Sequence, residues 1–339
     1  MATIKDIAEL AGVSRGTVDR VLNHRGSVNE KTAQKVNEIA RALNYKPNPA
    51  GLTLAAQKKN LKLGVILCPT SNLFFAAILE NVEAKAIELS TFNCTVVVKQ
   101  VAFNEQMQLK TIDLLLEEGI HGLALSPVNT PAVRDKVDEL VDRGIPVITF
   151  NTDLENSKRL AYVGSDYFHG GETAAGLMRL MTHGPIEVGI ITGSADVLCH
   201  SERIAGFTRI IKENCPHIHI VDIVYCNDDE IESYEQTQKL LSKHPEINAL
   251  FFAAGGFYGG CRALKAMGLN GKISLITFDA IPSHSSLLED GTILASICQH
   301  PEIQGSKPLE ILFIYLVSGI LPEKEYLYTD IDIRIRENL

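Results

Sequence analysis

The sequence predicts an all-α helix-turn-helix head joined to an α/β body of two doubly wound lobes. Three observations predict it. Two short helical patterns meet at Gly12 near the N-terminus, β-rich runs alternate with helical ones from residue 61 onward, and the charge changes sign at the same boundary. A length of 339 residues exceeds one ordinary domain and suits two or three. With 45% apolar and 22% charged residues, the chain is neither disordered, collagenous nor a coiled-coil rod. It contains no run of about 18 apolar residues, so no transmembrane helix and no membrane partner are expected. Asp6 and Glu9 stand where a secretory signal would carry its apolar stretch, so the cytoplasm is the expected address. The seven cysteines are dispersed with no CxxC pair, which reads as buried thiols and not as disulfides or a zinc site.

The first 60 residues hold 10 Lys/Arg and 5 Asp/Glu, a balance of +5; the rest of the chain holds 22 against 36, a balance of −14. A basic head on an acidic body suits a head that meets phosphate and a body that repels it, although a solvated basic face would look the same.

Within the head, Thr3-Ile4-Lys5-Asp6 has the form of a capping box, with Asp6 in place of the usual Glu. Ile4, Ile7, Ala8 and Ala11 then recur at helical spacing, and Gly12 ends the helix. Ser14 is a fresh N-cap for a second helix over about Arg15 to Leu22, with Val18, Val21 and Leu22 inward. A third helix runs from about Glu30 to Leu43. Two short helices joined by a Gly-containing turn form the DNA-reading motif, whose second helix enters the major groove by its N-terminal end. Arg15, Gly16 and Arg20 then face base edges; arginine bonds guanine in bidentate fashion, and Gly16 offers room. Thr3, Ser14, Thr17 and Asn23 suit phosphate oxygens. A three-helix protein-binding module is the alternative.

The stretch TIKDIAELAGVSRGTVDRVLNHRG, continued through the third helix to Tyr45-Lys46-Pro47-Asn48, resembles the lactose-repressor (LacI) family of bacterial transcription regulators. Asp19 departs from the usual Ser, and an acid near DNA phosphates alters the docking. The head spans residues 1–46.

Residues 47–60 form the linker. Pro47 and Pro49 break the third helix, and a segment this short is marginal as an isolated helix. The resemblance implies a hinge helix that folds on DNA and pairs in a homodimer, driving Leu54 into the minor groove as an apolar wedge. Gly51 weakens that helix, and Leu52 replaces a phosphate-binding arginine.

The body spans 61–339. LGVILC, CTVVVKQV, GLALSP and PVITF alternate with helical patterns. A second series follows, AYVGSD, VGIITG, HIVDIVY, ALFFAA, ISLITFD and ILASICQ, with YLYTDIDIRI as the last strand. This is βα logic with parallel sheets. The expected lobes are about 61–164 with 298–323, and about 165–297 with 324–339. Ligands in such folds bind beyond the carboxyl ends of strands. There stand Asn72, Phe74, Phe75, Asn151, Asp153, His200, Arg203, Asp279 and Gln299. Aromatic faces with two-way hydrogen-bonding groups suit a sugar-like polyol, and Arg203 with Asp153 or Asp279 could clamp a hydroxyl pair.

The body, on Ser71-Asn72-Leu73-Phe74-Phe75, IPVITFNTD, SERIAGF, TFDAIP and CQHPEIQG, is similar to the ribose-binding type of periplasmic sugar-binding protein. The resemblance implies effector contacts at Asn72, Phe74, Phe75, Asn151, Asp153, Arg203, Asp279 and Gln299. Sugar binders usually carry Asn-Asp after the ALFF strand; here stand Ala254-Gly255-Gly256, which implies a roomier pocket or a ligand lacking a hydroxyl there.

The Gly255–Gly260 run lacks the position and the following acid of a dinucleotide loop. His217 and His219 lack a third metal ligand, and Ser283-His284-Ser285 is not a triad. No catalytic residue, metal or cofactor is expected beyond the effector, a sugar or polyol, free or phosphorylated. The expected protein is a homodimeric, effector-controlled repressor of a pseudo-palindromic operator. A transport-type sugar-binding protein and a sugar-acting enzyme are the other classes.

Overall fold

The structure, a computed structural model, describes residues 3–22, 28–43, 57, 59–69, 73–195, 197–279 and 285–339. In the head, α1 (Ile4–Ala11) opens on a complete capping box. The Thr3 side chain accepts from the Asp6 backbone N–H, and Asp6 accepts from Thr3 N at 2.8 Å. Gly12 closes the helix at φ +70°, a left-handed conformation that favours glycine. Ser14 caps α2 (Arg15–Leu22), its hydroxyl accepting the Thr17 N–H at 3.1 Å. α3 (Glu30–Ala42) lies across both, and Ile7, Val18 and Val36 form a fully buried centre.

The first lobe is a six-stranded parallel sheet. Its strands are β1 (Leu61–Leu67), β2 (Cys94–Gln100), β3 (Gly122–Leu125), β4 (Val147–Phe150) and β5 (Ala161–Gly164), with β11 (Tyr326–Tyr328) at the edge beside β5. The helices α4 (Leu73–Ser90), α5 (Glu105–Glu117), α6 (Pro131–Asp142) and α12 (Pro301–Ser318) belong to this lobe. The second sheet joins β6 (Ile186–Thr192), β7 (Ile218–Tyr225), β8 (Ala249–Phe252), β9 (Ser274–Phe278) and β10 (Ala295–Cys298) in parallel. The short β12 (Asp332–Arg334) closes it antiparallel to β10. Around it lie α7 (Tyr167–Met181), α8 (Leu198–Asn214), α9 (Glu230–Lys243), α10 (Phe257–Ala266) and α11 (Ser285–Glu289). Central strands such as β3, β4 and β8 are buried throughout, as parallel strands covered on both faces must be.

AYVGSD supplies the first sheet's β5, inside the expected first-lobe boundary at 164, and one detail corrects the other boundary. YLYTDIDIRI, read as one strand of the second lobe, is two strands in different sheets: β11 in the first lobe and β12 in the second. Thr329-Asp330-Ile331 between them is therefore a lobe crossover. The chain crosses three times, at Ser165-Asp166, Gln299-His300 and Thr329–Ile331. The crossovers are bonded to one another: Ser165 and Thr329 share a hydroxyl pair at 2.9 Å, and Thr329 Oγ1 donates to the Gln299 carbonyl at 3.2 Å. Among the described residues, the cysteines are all free and no helix is long and apolar enough to cross a membrane.

Candidate DNA surface and effector cleft

Arg15, Gly16 and Arg20 are exposed on α2. A Cβ added at Gly16 would touch only the Ser14 hydroxyl, at 3.7 Å, so the surface is open there. The Arg20 Nε donates to its own helix at the Gly16 carbonyl, 3.1 Å away, which lays the guanidinium along the N-terminal turn. The Thr3 hydroxyl is already engaged by Asp6 at 2.9 Å, and the Ser14 and Thr17 hydroxyls share a bond of 2.9 Å. Those three residues hold the helix starts. Asn23 and Leu54 lie outside the described residues, as does Asn72.

The main cavity opens between the lobes and holds about 660 Å³ of non-atom space, counting its mouth. The first lobe contributes Phe74 and Phe75 from the start of α4, Phe103 and Asn151. The Phe74 and Phe75 rings meet edge to face, centroids 5.8 Å apart, and Phe75 meets Phe103 the same way at 6.0 Å. Asn151 follows β4 at φ +64°, a left-handed conformation that asparagine tolerates. Its side-chain amide donates to the Tyr167 hydroxyl at 3.3 Å, so the residue is held toward the second lobe.

From the second lobe, α8 presents Arg203 with 3% exposure. The guanidinium donates to the Ala253 carbonyl at 2.9 Å and to Gln299 Oε1 at 2.7 Å. It also stacks 3.9 Å from the Phe278 ring centroid and 4.7 Å from that of Tyr167, so the buried cation faces π-density on two sides. The amide of Gln299 donates to Asp279. Asp279 sits at φ +56° after β9, its N–H bonded to the Ile297 carbonyl. Burial pushes its carboxyl up to about 7, against the opposing pull of Arg203 and Gln299. Phe74, Phe75, Asn151, Arg203, Asp279 and Gln299 thus converge on one cavity.

Asp153 does not join them. Its carboxylate binds Arg159 in bidentate fashion, both N–O distances 2.6 Å, and accepts from Thr149 at 2.6 Å. The left-handed turn at Asn151 redirects the chain, and two residues later Asp153 serves the buried guanidinium of Arg159. It lines a second cavity instead, with Glu155, Asp166 and Glu202 among tyrosines. Burial and those neighbouring carboxylates raise Glu202 to about 7.

The cavity wall also contains His200, Asp228 and Glu230. Position at a strand end points to His200 but not to the acids after β7. In the run Cys226-Asn227-Asp228-Asp229-Glu230, Asp229 is the N-cap of α9, accepting from Ile231 and Glu232 at 2.8 and 2.9 Å. Asp228 turns into the cleft at φ +59°. Its Oδ1 accepts the Gly255 N–H at 2.7 Å and lies 3.5 Å from His200 Nε2. Burial disfavours the charged imidazole, but Asp228 and Cys199 together outweigh it and lift His200 to about 9. Glu230 accepts from the Gly259 N–H, and burial raises its carboxyl.

An exposed arginine-bearing helix-turn-helix, carried with a two-lobed body that closes around a polar and aromatic cleft, defines a ligand-responsive DNA-binding regulator. The comparisons agree. The lacI family of bacterial regulatory proteins matches residues 3–48, and the periplasmic binding protein domain matches residues 63–319. The ribose operon repressor of Halalkalibacterium halodurans is 27% identical over 294 residues, covering 85% of this chain and 83% of that one. The HTH-type transcriptional repressor PurR of Actinobacillus pleuropneumoniae is 29% identical over 322 residues, covering 92% and 90%. Among solved structures, GanP, a glucose-galactose binding protein from Geobacillus stearothermophilus, is 25% identical with a TM-score of 0.74, over 82% of this chain and 99% of that one. Over residues 63–319 the chain belongs to the periplasmic binding protein family, and residues 3–48 are a lacI-type DNA-binding head: it is a DNA-binding transcription regulator with a periplasmic-binding-protein body.

Proposed function

We propose that the chain is a cytoplasmic repressor that binds a pseudo-palindromic operator as a homodimer. A sugar or sugar-like polyol, free or phosphorylated, bound between the lobes controls that binding. Arg15, Gly16 and Arg20 read base edges in the major groove; Thr3, Ser14, Thr17 and Asn23 meet phosphates; Leu54 wedges the minor groove. Asn72, Phe74, Phe75, Asn151, Arg203, Asp279 and Gln299 hold the effector. The protein acts by binding and not by turnover.

One observation carries the reading. The Arg203–Gln299–Asp279 chain lines the cleft, and Gln299 is itself one of the lobe crossovers. A ligand that bonds this group bears directly on the hinge. It shifts the repressor only through unequal affinity for the two lobe arrangements.

The test has two arms. Selection from a random DNA library should recover an inverted repeat, and a thermal-shift screen of sugars, polyols and their phosphates should stabilise the body. A ligand at 100 times its Kd adds roughly 2.7 kcal/mol. Recovery of no preferred sequence, or turnover of a bound sugar, would overturn the reading.

A further inference from the structure

The deletion of polar groups after β8 is answered from another loop. Gly255 and Gly256 bring backbone, not side chains, to the cavity wall. Gly256 has φ +84°, and a Cβ there would stand 3.0 Å from the Ser233 Cβ and 3.1 Å from the Asp229 carbonyl. The Asp228 carboxylate reaches across from the β7–α9 loop and takes the Gly255 N–H at 2.7 Å. Its placement is built with care. Asn227 and Asp228 are consecutive left-handed residues, φ +50° and +59°, a costly arrangement that persists only where the surroundings impose it. Gly193, after β6, makes room: a Cβ there would lie 2.3 Å from His200 Cε1 and 2.5 Å from Asp228 Oδ2. His200, 5% exposed, faces Asp228 and, when protonated, donates its Nδ1–H to the Ser194 carbonyl at 3.3 Å.

Resting on the cleft as the effector site, we infer that Asp228 is its specificity-determining residue and selects an uncharged, polyhydroxylated effector over a phosphorylated one. The carboxylate accepts hydroxyls of the ligand at the place the two glycines leave bare. Among the described residues Asp228 is bonded through Oδ1, and its Oδ2 is the oxygen offered to a hydroxyl. The cations of the cleft are held within the protein: Arg203 bonds Ala253 and Gln299 through its two terminal nitrogens, its Nε being buried without a partner among the described residues, and His200 pairs with Asp228. Asp228, Glu230 and Asp279 line the same cavity, so a phosphate dianion would enter against carboxylates. His200 is a positioning residue, acting on the ligand through Asp228.

The test is calorimetry on the full chain with D-ribose, D-glucose, D-galactose and myo-inositol, and with D-ribose 5-phosphate and D-glucose 6-phosphate. Two variants accompany it. Asp228→Asn removes the charge and Asp228→Gly removes the side chain, and both residues accept a left-handed φ, so the loop is kept. Melting curves check that each variant still unfolds cooperatively. At least one uncharged compound should bind, the phosphate esters should not, and both variants should lose about tenfold or more in affinity. A phosphate ester that binds as tightly as its parent sugar, or an affinity unchanged in both variants, would overturn the inference while leaving the effector reading intact. Binding of no compound to the unmutated chain would overturn the effector reading and this inference with it.

Discussion

Arg203 and Gln299 meet at 2.7 Å, and that bond ties the ligand cleft to the hinge. Gln299 lies where the chain crosses between lobes. Its carbonyl accepts from Gln304 at the start of α12 and from Thr329 in the third crossover, and Thr329 bonds Ser165 in the first. Ligand contact and lobe geometry are therefore read by one connected group of side chains.

Arg203→Ala should abolish measurable effector binding. The change leaves Gln299 Oε1 and the Ala253 carbonyl without their donor and removes the cation stacked on Phe278. A loss of one partner of a buried, charge-assisted contact costs about 2–5 kcal/mol. Titration calorimetry with the compound that stabilises the body checks it, and operator affinity without effector should stay near that of the unmutated chain.

Arg20→Ala should separate the two halves in the other direction. Specific operator binding should weaken by about 1–3 kcal/mol with effector affinity unchanged. Fluorescence anisotropy on the selected operator, beside calorimetry on the effector, reads both. A collapse of effector affinity would contradict the division into head and body.

Asp153→Ala should act on stability. Arg159 would keep a buried guanidinium with only Glu325, at 3.1 Å, as its remaining carboxylate. Removing one member of a buried pair costs about 3–5 kcal/mol. Urea unfolding measures it, and loss of effector contacts should not follow, because Asp153 lies outside the cleft.

Asp279 and His200 are two of the buried groups that make stability depend on pH. Asp279 titrates near 7 in the fold against 3.8 when unfolded, so the folded chain holds more protons between those values. Its burial is without cost at low pH, and stability falls as pH rises from about 4 to 7. His200 is raised to about 9 from 6.5, so its stabilisation is full below 6.5 and is lost as pH rises through 9. Asp279→Asn should therefore gain stability on the unmutated chain between pH 4 and 7, and Asp228→Asn should flatten the fall between 6.5 and 9. Melting temperatures across pH 4–10 test both.

The elements were legible because their periods and caps are strong. Thr3 with Asp6, Gly12 and Ser14 fix the head's helix ends locally, and the central strands of the body are apolar runs. Which sheet a strand joins is not local. Tyr326–Tyr328 is parallel to β5 and Asp332–Arg334 antiparallel to β10, and nothing in YLYTDIDIRI marks the crossover between them. The cleft was legible where one residue follows one strand, as with Asn151, Asp279 and Gln299. It failed at Asp153 and Asp228, since an acid after a strand can pair with a basic side chain, cap a helix or enter a site. Asp228 and Asp229 divide the last two tasks between neighbours, and only backbone dihedrals distinguish them.

The central claim is that cleft and operator are coupled. The direct measurement is the full chain's affinity for its selected operator with and without saturating effector, and its affinity for the effector with and without operator. The account requires both ratios to differ from one and to be equal, on the order of 5–150-fold. An effector that binds the cleft tightly and leaves operator affinity unchanged would contradict it.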